Sequence, residues 1–284
     1  MNDDRIPRAR TTTDPSGDLV RVYDDRQGLC EAAAHELLRV LAEAVQGRGR
    51  ASAVLTGGGT GTGILAALGT LLAGPTDAPA LDWSGVHLWW GDERFLPAGD
   101  AERNEVQAAG ALLDTLVADH GLPAANVHPM PAAGGSASAD SPSQGAVLDE
   151  AAQRYAADLA RHAAVDPGPD PRLPAFDVVL LGVGPDAHVA SLFPGLPGPT
   201  STGRTVIGVE DSPKPPPERL SLTVEALNTA RRLWFVVAGA DKAEAVAAVR
   251  GARNDETTDP ARWPASVVSG VSATTWWLDG AAAG

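Results

Sequence analysis

The chain has little of what several classes of protein need. Its 284 residues include one cysteine, Cys30, which excludes an intramolecular disulfide framework and a cysteine-rich zinc site. No apolar run approaches the length of a membrane span, and the amino-terminal MNDDRIPRAR lacks the apolar core of a secretory signal. The 22 Lys and Arg are outnumbered by 36 Asp and Glu, which gives a formal charge of −14. We therefore predict a cytoplasmic protein without a broad surface for nucleic acid or membrane.

Apolar sequence is plentiful, and its arrangement predicts the fold class. Hydrophobic residues make up 44% of the chain, enough for a sizeable core. Short apolar segments such as ASAVLT (51–56), VHLWW (86–90) and FDVVLL (176–181) alternate with stretches of helical periodicity. Continuous apolar strands separated by helices predict an α/β fold, with a mainly parallel, Rossmann-like sheet and helices on both faces.

The remaining elements follow from the same periodicity. Further strands are predicted over 204–209, 219–222 and 233–237, and helices over 28–45, 64–72, 106–116, 146–164 and 240–249. Segments 132–145 and 166–174 are small and polar or rich in proline, so we predict flexible insertions there. Because the alternation resumes after each insertion, we assign residues 1–284 to a single domain.

A glycine-rich turn follows the ASAVLT strand in the segment LTGGGTGTGIL, residues 55–65. A strand that runs through glycines into a helix exposes backbone N–H groups at the positive end of that helix, which suits a phosphate. Gly58 and Gly63 have P-loop spacing, but Ile64 and Leu65 stand where a P-loop has Lys and Ser/Thr. A dinucleotide loop and a purely structural turn are the alternatives, and we favour a phosphate site.

Charged residues follow the VHLWW strand in the segment WWGDERFLP, residues 89–97. Ligands of open parallel sheets bind beyond the carboxyl ends of the strands, so Asp92, Glu93 and Arg94 can reach the same crevice as the glycine turn. The guanidinium of Arg94 suits a phosphate, a carboxylate or a developing oxyanion. A surface ion pair is the alternative explanation for this cluster.

An Asp-x-His pair follows the FDVVLL strand in the segment LLGVGPDAHVASLFPG, residues 180–195. An imidazole can transfer protons near neutral pH, and Asp186 can orient His188 or favour its charged form. A lone histidine is more often structural, but the surrounding glycines and proline at a strand end favour catalysis. His35 and His87 lack metal-ligand spacing and are interpreted as structural.

These segments together resemble the glucosamine-6-phosphate isomerase/6-phosphogluconolactonase superfamily, and within it the 6-phosphogluconolactonases. Five segments match in order: the glycine loop at 56–60, GDER at 91–94, GVGPDAHVASLFPG at 182–195, SPKPPPERLSLT at 212–223 and VAGADKAEAV at 237–246. The similarity runs from about Val20 to the TTWWLD near the end of the chain. Each motif is modest alone, whereas five in order are highly specific.

The resemblance implies hydrolysis of 6-phospho-D-glucono-1,5-lactone to 6-phospho-D-gluconate in the oxidative pentose phosphate pathway, without a metal or cofactor. It makes His188 the candidate general base, Arg94 the partner of the developing oxyanion, and Asp186 the carboxylate that orients the histidine. The implied substrate-binding residues are Gly57, Gly58, Gly59, Thr60, Asp92, Lys214, Arg219 and Lys242. We expect a monomer or small homo-oligomer whose partner is this small sugar-phosphate lactone.

Three residues depart from the family pattern. Ala187 stands where the family usually has the glycine of Asp-Gly-His. Its methyl group costs about 1 kcal/mol if the position needs positive φ, and otherwise narrows the pocket. Gly59 and Gly61 replace a common serine and a common proline, so more of the phosphate contact is expected from the backbone.

Two other functions are the alternatives. An aminosugar-phosphate isomerase/deaminase needs a carboxylate base and a ring-opening set that includes a glutamate, but the third motif continues as ASLFPG rather than the AFNEP type. A non-catalytic sugar-phosphate-binding regulator would keep the glycine loop and lose the acid/base residues, whereas His188 and Arg94 are both present. A DNA-binding segment would also be expected of such a regulator, and none is visible.

Overall fold

Ten β-strands in the described part of the chain form two separate sheets. The structure is a computed structural model that describes residues 6–74, 80–134, 144–255 and 257–284. The strands are β1 (Arg10–Thr13), β2 (Leu19–Tyr23), β3 (Ala51–Leu55), β4 (Val86–Trp90), β5 (Asp92–Arg94), β6 (Val178–Leu181), β7 (Val206–Val209), β8 (Arg219–Leu222), β9 (Arg232–Val237) and β10 (Ala273–Asp279).

The larger sheet has seven strands in the order β1-β2-β10-β9-β6-β3-β4. Only β1 and β2 pair in antiparallel fashion, and the other neighbours are parallel. β3, β4 and β6 are buried along their whole length. Strands covered on both faces need continuous apolar sequence, which explains segments such as VHLWW and VVLL. The predicted fold class, a mainly parallel α/β sheet in one domain, is confirmed.

Helices pack around this sheet. The α-helices of the described residues are α1 (Arg26–Arg48), α2 (Gly58–Ala73), α3 (Asn104–Ala108), α4 (Asp114–Asp119), α5 (Gln144–Ala163), α6 (Val224–Leu227), α7 (Ala243–Arg253) and α8 (Gly280–Ala283). A π-helical turn, Ala109–Leu113, joins α3 to α4. Single 3-10 turns occupy Trp83–Gly85, Ala124–Asn126, Gly198–Thr200, Ala240–Lys242 and Pro264–Val267. No helix among these combines the length and the apolar character that a membrane crossing requires.

The ends of α1 illustrate how local sequence sets the helix bounds. The side chain of Asp25 accepts a hydrogen bond of 2.8 Å from the backbone N–H of Gly28, which caps the first turn. Gly49 ends the helix in the left-handed conformation, with φ of 73°, and its N–H donates to the carbonyl of Val45. The helix therefore begins and ends a few residues outside the predicted range 28–45.

A smaller antiparallel sheet, β5-β8-β7, was not foreseen from the sequence. The sequence predicts segments 204–209 and 219–222 as strands of the parallel sheet. In the structure β7 pairs with β8, and β8 pairs with β5 on its other side. Gly91 joins the two sheets: its N–H donates to the carbonyl of Leu55 at 3.0 Å, and its carbonyl accepts from the N–H of Leu222 at 2.8 Å. Apolar periodicity shows that a strand forms but not which strand it pairs with.

The two predicted insertions differ in what the structure describes. Most of segment 132–145 lies outside the described residues. Segment 166–174 contains no helix or extended strand, but Pro167 and Pro174 form an isolated bridge and the N–H of Gly168 donates to the carbonyl of Leu173 at 2.9 Å. It is a turn closed by its own backbone hydrogen bonds.

Candidate active site

A cavity of about 530 Å³ lies at the carboxyl ends of the neighbouring strands β3, β6 and β9. This is where an open parallel sheet binds its ligands. All three predicted segments contribute to its wall. The predicted residues that line it are Gly57, Gly58, Gly59, Thr60, Asp92, Arg94, His188, Lys214, Arg219 and Lys242. Asp186 is not in the wall itself and stands behind His188.

The glycine turn is the first turn of α2 rather than a loop before it. Gly57 caps the helix and Gly58 begins it, six residues before the predicted start at Ile64. Gly58 has φ of 79°, a conformation that favours glycine. The first N–H groups of a helix have no acceptor within it, so those of residues 58–60 remain available to an anion in the cavity.

The other glycines of this turn allow close approach of two side chains. A Cβ on Gly57 would lie 2.0 Å from Oδ1 of Asn104, and a Cβ on Gly59 would lie 2.2 Å from Nη2 of Arg26. Larger residues at either position would displace these side chains. Gly59 therefore leaves room for a guanidinium directly beside the exposed backbone N–H groups.

Arg26 is a residue of the site that sequence reasoning missed. It is the first residue of α1 and lines the cavity. The sequence does contain a signal for it: Arg26 is a cation in the first turn of a predictable helix, where positive charge interacts unfavourably with the helix dipole. An anion bound there, such as a phosphate, would offset that unfavourable interaction.

His188 and Asp186 form a hydrogen-bonded pair, as the sequence predicts. Nδ1 of His188 lies 2.5 Å from Oδ1 of Asp186, and the histidine side chain is 15% exposed. Burial alone would raise the pKa of Asp186, but its hydrogen bond with His188 and the charges of His188 and Lys214 outweigh burial and lower the pKa well below its usual value. An ionised carboxylate only accepts hydrogen bonds, so Nδ1 carries the proton and the neutral ring has its lone pair on Nε2.

Gly184 makes the close contact of this pair possible. A Cβ on Gly184 would lie 2.0 Å from Nδ1 of His188 and 2.5 Å from Oδ1 of Asp186. The N–H of Gly184 donates to the carbonyl of His188 at 2.9 Å, and the N–H of Ala187 donates to the carbonyl of Gly184 at 2.9 Å. Backbone hydrogen bonds within this short turn therefore hold Asp186 and His188 in position relative to each other.

Lys214 stands beside the same pair. Its Nζ lies 3.5 Å from Oδ1 of Asp186 and 3.3 Å from Nδ1 of His188. Burial lowers the pKa of Lys214, the charge of Asp186 opposes that effect, and the positive charges of Lys242 and Arg219 add to it. A partly desolvated ammonium next to the imidazole is well placed to meet negative charge in the cavity.

Arg219 holds the segment that carries Lys214. Its guanidinium is buried and donates to the carbonyls of Pro216 at 2.8 Å, Pro215 at 3.0 Å and Lys214 at 3.1 Å. Burial lowers the pKa of Arg219, as does the charge of the neighbouring Arg94. Three of its donors are therefore committed to the protein.

Arg94 and Arg219 are direct neighbours across the small sheet, where β5 pairs with β8. The side chain of Arg94 is half-buried and one of its guanidinium nitrogens donates to the carbonyl of Glu102. Two guanidinium groups on one wall create a strongly positive surface in a chain of net negative charge. Such a surface attracts an anionic ligand.

The remaining predicted residues have protein partners. The carboxylate of Asp92 accepts a hydrogen bond of 2.6 Å from the hydroxyl of Ser191, which ties β5 to the third motif. Nζ of Lys242 lies 3.5 Å from a carboxylate oxygen of Asp241 and is partly exposed at the cavity wall. Asp92 therefore uses one carboxylate oxygen to hold the third motif in place, while Lys242 contributes positive charge to the cavity wall.

Asn104 connects the glycine turn to β5. Its Nδ2 donates to the carbonyl of Asp92 at 2.9 Å, and its backbone N–H donates to the buried carboxylate of Glu93 at 2.7 Å. Burial raises the pKa of Glu93, against the hydrogen bonds that it accepts. Asn104 is one of the residues that line the cavity, and its Oδ1 is buried without a hydrogen-bond partner among the described residues.

Comparisons with known proteins agree on one family. The model of the family "Glucosamine-6-phosphate isomerases/6-phosphogluconolactonase" matches residues 24–277. The chain belongs to this family. It is 48% identical over 269 residues to the 6-phosphogluconolactonase of Streptomyces coelicolor, covering 92% of each chain. It is 42% identical over 260 residues to that of Mycobacterium tuberculosis, covering 92% of this chain and 95% of the other. The solved 6-phosphogluconolactonase of Trypanosoma brucei has a TM-score of 0.71 at 26% identity, covering 93% of this chain and 97% of the other.

Ala187, which departs from the Asp-Gly-His pattern of the family, is a residue with positive φ. Its φ of 66° is in the left-handed region, which favours glycine. The side chain is 1% exposed and does not line the cavity. Of the two effects expected from the sequence, backbone strain is therefore supported and a narrowed pocket is not.

Proposed function

We propose that the chain hydrolyses 6-phospho-D-glucono-1,5-lactone to 6-phospho-D-gluconate in the oxidative pentose phosphate pathway. Relatives of 42% and 48% identity that cover nearly the whole chain are 6-phosphogluconolactonases. One observation carries the proposal: the amino terminus of α2 and the imidazole of His188 line the same cavity. The proposed substrate has one group for each, a phosphate at carbon six and a lactone carbonyl at carbon one.

The phosphate binds at the glycine turn in this proposal. The N–H groups of Gly58, Gly59 and Thr60 donate to its oxygens, with the positive end of the α2 dipole behind them. Arg26 neutralises charge from the side of Gly59, and Lys242 from the end of β9. Gly57 leaves room for Asn104 to pack against the turn. We therefore assign Gly57 to the shape of the phosphate site and not to a direct contact with the anion.

His188 acts at the other end as a general base. Its Nε2 removes a proton from a water molecule while the water oxygen forms a bond to carbon one of the lactone. The tetrahedral intermediate then collapses, the bond between carbon one and the ring oxygen breaks, and Nε2 returns the proton to that oxygen. Asp186 keeps the proton of the neutral ring on Nδ1 and stabilises the imidazolium that forms in between.

Positive side chains stabilise the negative charge that develops on the carbonyl oxygen. Arg94 reaches this position from β5, and Lys214 adds a partly desolvated ammonium beside the imidazole. Arg219 acts indirectly, because its donors hold the segment that carries Lys214. We therefore assign substrate contact to Lys214 and a positioning role to Arg219.

The proposed reaction is tested by product analysis with two substrates. Proton release from freshly prepared lactone, corrected for spontaneous opening, should rise in proportion to the amount of protein. Ammonia release from glucosamine 6-phosphate, measured in parallel, should remain at background. Ammonia release without lactone hydrolysis would assign the chain to the isomerase branch, and activity on neither substrate would support a binding protein.

We also propose a cytoplasmic location and a monomer or small homo-oligomer. A chain with one cysteine needs no oxidising compartment, and Cys30 is buried. Its pKa is raised to about 11, mainly by burial, so the thiol is protonated and unreactive at neutral pH. Size-exclusion chromatography with light scattering measures the oligomeric state.

A further inference from the structure

Three histidines from distant parts of the chain meet outside the active-site cavity. His87 lies on the edge strand β4, His128 follows the turn Ala124–Asn126, and His162 is in the last turn of α5. One ligand atom of each lies within 4.8 Å of the other two. None of the three is among the residues that line the cavity.

Hydrogen bonds already orient two of these rings. Nδ1 of His128 faces a carboxylate oxygen of Asp158 at 3.4 Å, and Nδ1 of His162 lies 3.0 Å from the backbone carbonyl of the same residue. A carbonyl and a carboxylate both accept hydrogen bonds, so the two Nδ1 atoms carry protons and the two Nε2 atoms hold lone pairs. Metal-binding histidines usually show this arrangement, in which an acceptor fixes the nitrogen that does not bind the metal.

The third ring directs a nitrogen at the same point. Nδ1 of His87 lies 3.0 Å from Nε2 of His128. Only one proton fits between these two nitrogens, so at least one of them is unprotonated and directs its lone pair into the cluster. Replacement of that proton by a cation would leave both nitrogens as ligands.

The surroundings bury two of the rings and restrict their motion. His87 and His128 are 8% and 5% exposed. Trp89 stacks on His128 with ring centroids 3.8 Å apart. His87 and His128 therefore have little freedom to turn away from the cluster.

We propose that His87, His128 and His162 form a site for a divalent transition metal of the zinc class. Three imidazole nitrogens with water in the fourth position are a known tetrahedral ligand set. Zinc–nitrogen bonds of about 2.1 Å in tetrahedral geometry place the nitrogens about 3.4 Å apart. The His87 and His128 nitrogens, now 3.0 Å apart, must therefore separate slightly, within a cluster whose ligand atoms all lie within 4.8 Å of one another. The side chain of His162 is 27% exposed, which gives the cation an entry path and this ring room to move.

Such a site would join α5 to the edge of the large sheet. β4 has a neighbour on one side only, and the segment at His128 pairs with it through a hydrogen bond of 2.9 Å to the carbonyl of Leu88. A metal shared by the strand, this segment and α5 would stabilise all three together. Binding to the folded state alone raises the temperature of unfolding.

Calorimetric titration with zinc chloride tests the proposal on the full chain after removal of metals with a chelator. The wild type should bind one Zn²⁺ per chain, and cobalt chloride should give the visible absorption of a tetrahedral Co²⁺ site. His162→Gln should weaken zinc binding at least tenfold and leave lactone hydrolysis unchanged. Unchanged hydrolysis also shows that this variant folds.

Two controls separate this site from other histidines. His120→Gln, which changes a partly exposed histidine outside the cluster, should bind zinc as the wild type does. His188→Gln should also retain one zinc, because His188 belongs to the cavity. Equal binding by the wild type and His162→Gln, loss of binding in His188→Gln, or no binding at about 100 μM zinc would overturn the proposal.

Discussion

The carboxylate of Asp186 decides which nitrogen of His188 is available for chemistry. Its hydrogen bond to Nδ1 leaves the lone pair of the neutral ring on Nε2. The sequence predicts that the two residues interact, because they are two positions apart at a strand end. It does not predict the tautomer, which depends on the ionisation of Asp186 and therefore on Lys214 from a distant segment.

Replacement of Asp186 by Asn should lower kcat at least tenfold and change KM much less. An amide can donate a hydrogen bond to Nδ1 and so favours the tautomer with its lone pair on the wrong nitrogen. Steady-state kinetics of lactone hydrolysis, corrected for the spontaneous reaction, measures the two constants. Equal kcat values for the variant and the wild type would contradict this role.

The lowered pKa of Asp186 also predicts how the free energy of unfolding depends on pH. Because the fold lowers the pKa of Asp186 below its usual 3.8, the ionised carboxylate stabilises the folded state above that value. This contribution is lost as the pH falls through the lowered folded pKa. The difference in unfolding free energy between wild type and Asp186→Asn, measured with urea, should thus be constant near neutral pH and shrink in acid. A difference that grows in acid would contradict the assignment.

Substitution of Ala187 by Gly should stabilise the protein. At φ of 66° the alanine methyl group is strained, while glycine adopts this conformation freely. Part of the gain is offset because glycine makes the unfolded chain more flexible, so we expect a net increase of about 0.5 kcal/mol in the free energy of unfolding. Urea denaturation measures this value. Ala190, with φ of 48°, offers a second position with the same expectation.

At the scale of elements, the start of α2 and the start of α1 together form the end of the cavity at which we propose that the phosphate binds. Gly59 and Arg26 are in contact although no motif links them in sequence. Strand-end reasoning located the glycine turn because it is local. It missed Arg26, since the approach of one helix end to another depends on packing of α1 against α2.

Arg26→Gln should raise KM roughly tenfold, which corresponds to about 1.4 kcal/mol for a charge-assisted phosphate contact. We expect a smaller change in kcat, because the residue lies at the glycine turn and not beside His188. The matched control is Arg204→Gln, since Arg204 lies outside the cavity wall and pairs with Asp149. A KM for Arg26→Gln equal to that of the control would remove Arg26 from the binding site.

Helix and strand positions were predicted well where apolar periodicity is strong. The bounds of β4 and β8 agree with the segments 86–90 and 219–222, and α5 differs from its predicted range by two residues or fewer at each end. The hairpin of β1 and β2 is not predicted from the sequence, and its first strand, Arg10–Thr13, is polar and exposed. Its pairing is set by the edge of the sheet rather than by its own sequence pattern.

At the scale of the whole molecule, the fold brings positive side chains together in one cavity of a chain whose net charge is negative. The cations that line the cavity are Arg26, Arg94, Lys214, Arg219 and Lys242, whereas the acidic residues that line it are Asp92 and Asp241. The chain as a whole has a formal charge of −14. Composition predicts no broad basic surface, and it does not show that the fold brings these five cations to one cavity from four different segments of the chain.

The central claim is that His188 is the base for a lactone held by its phosphate at α2, and His188→Ala tests it most directly. The variant should lose at least 100-fold of the enzymatic rate, the usual contribution of a general base, after subtraction of spontaneous opening. Its affinity for 6-phosphogluconate, measured by calorimetry, should stay within a few fold of the wild type. A variant that hydrolyses the lactone at the wild-type rate would contradict the account.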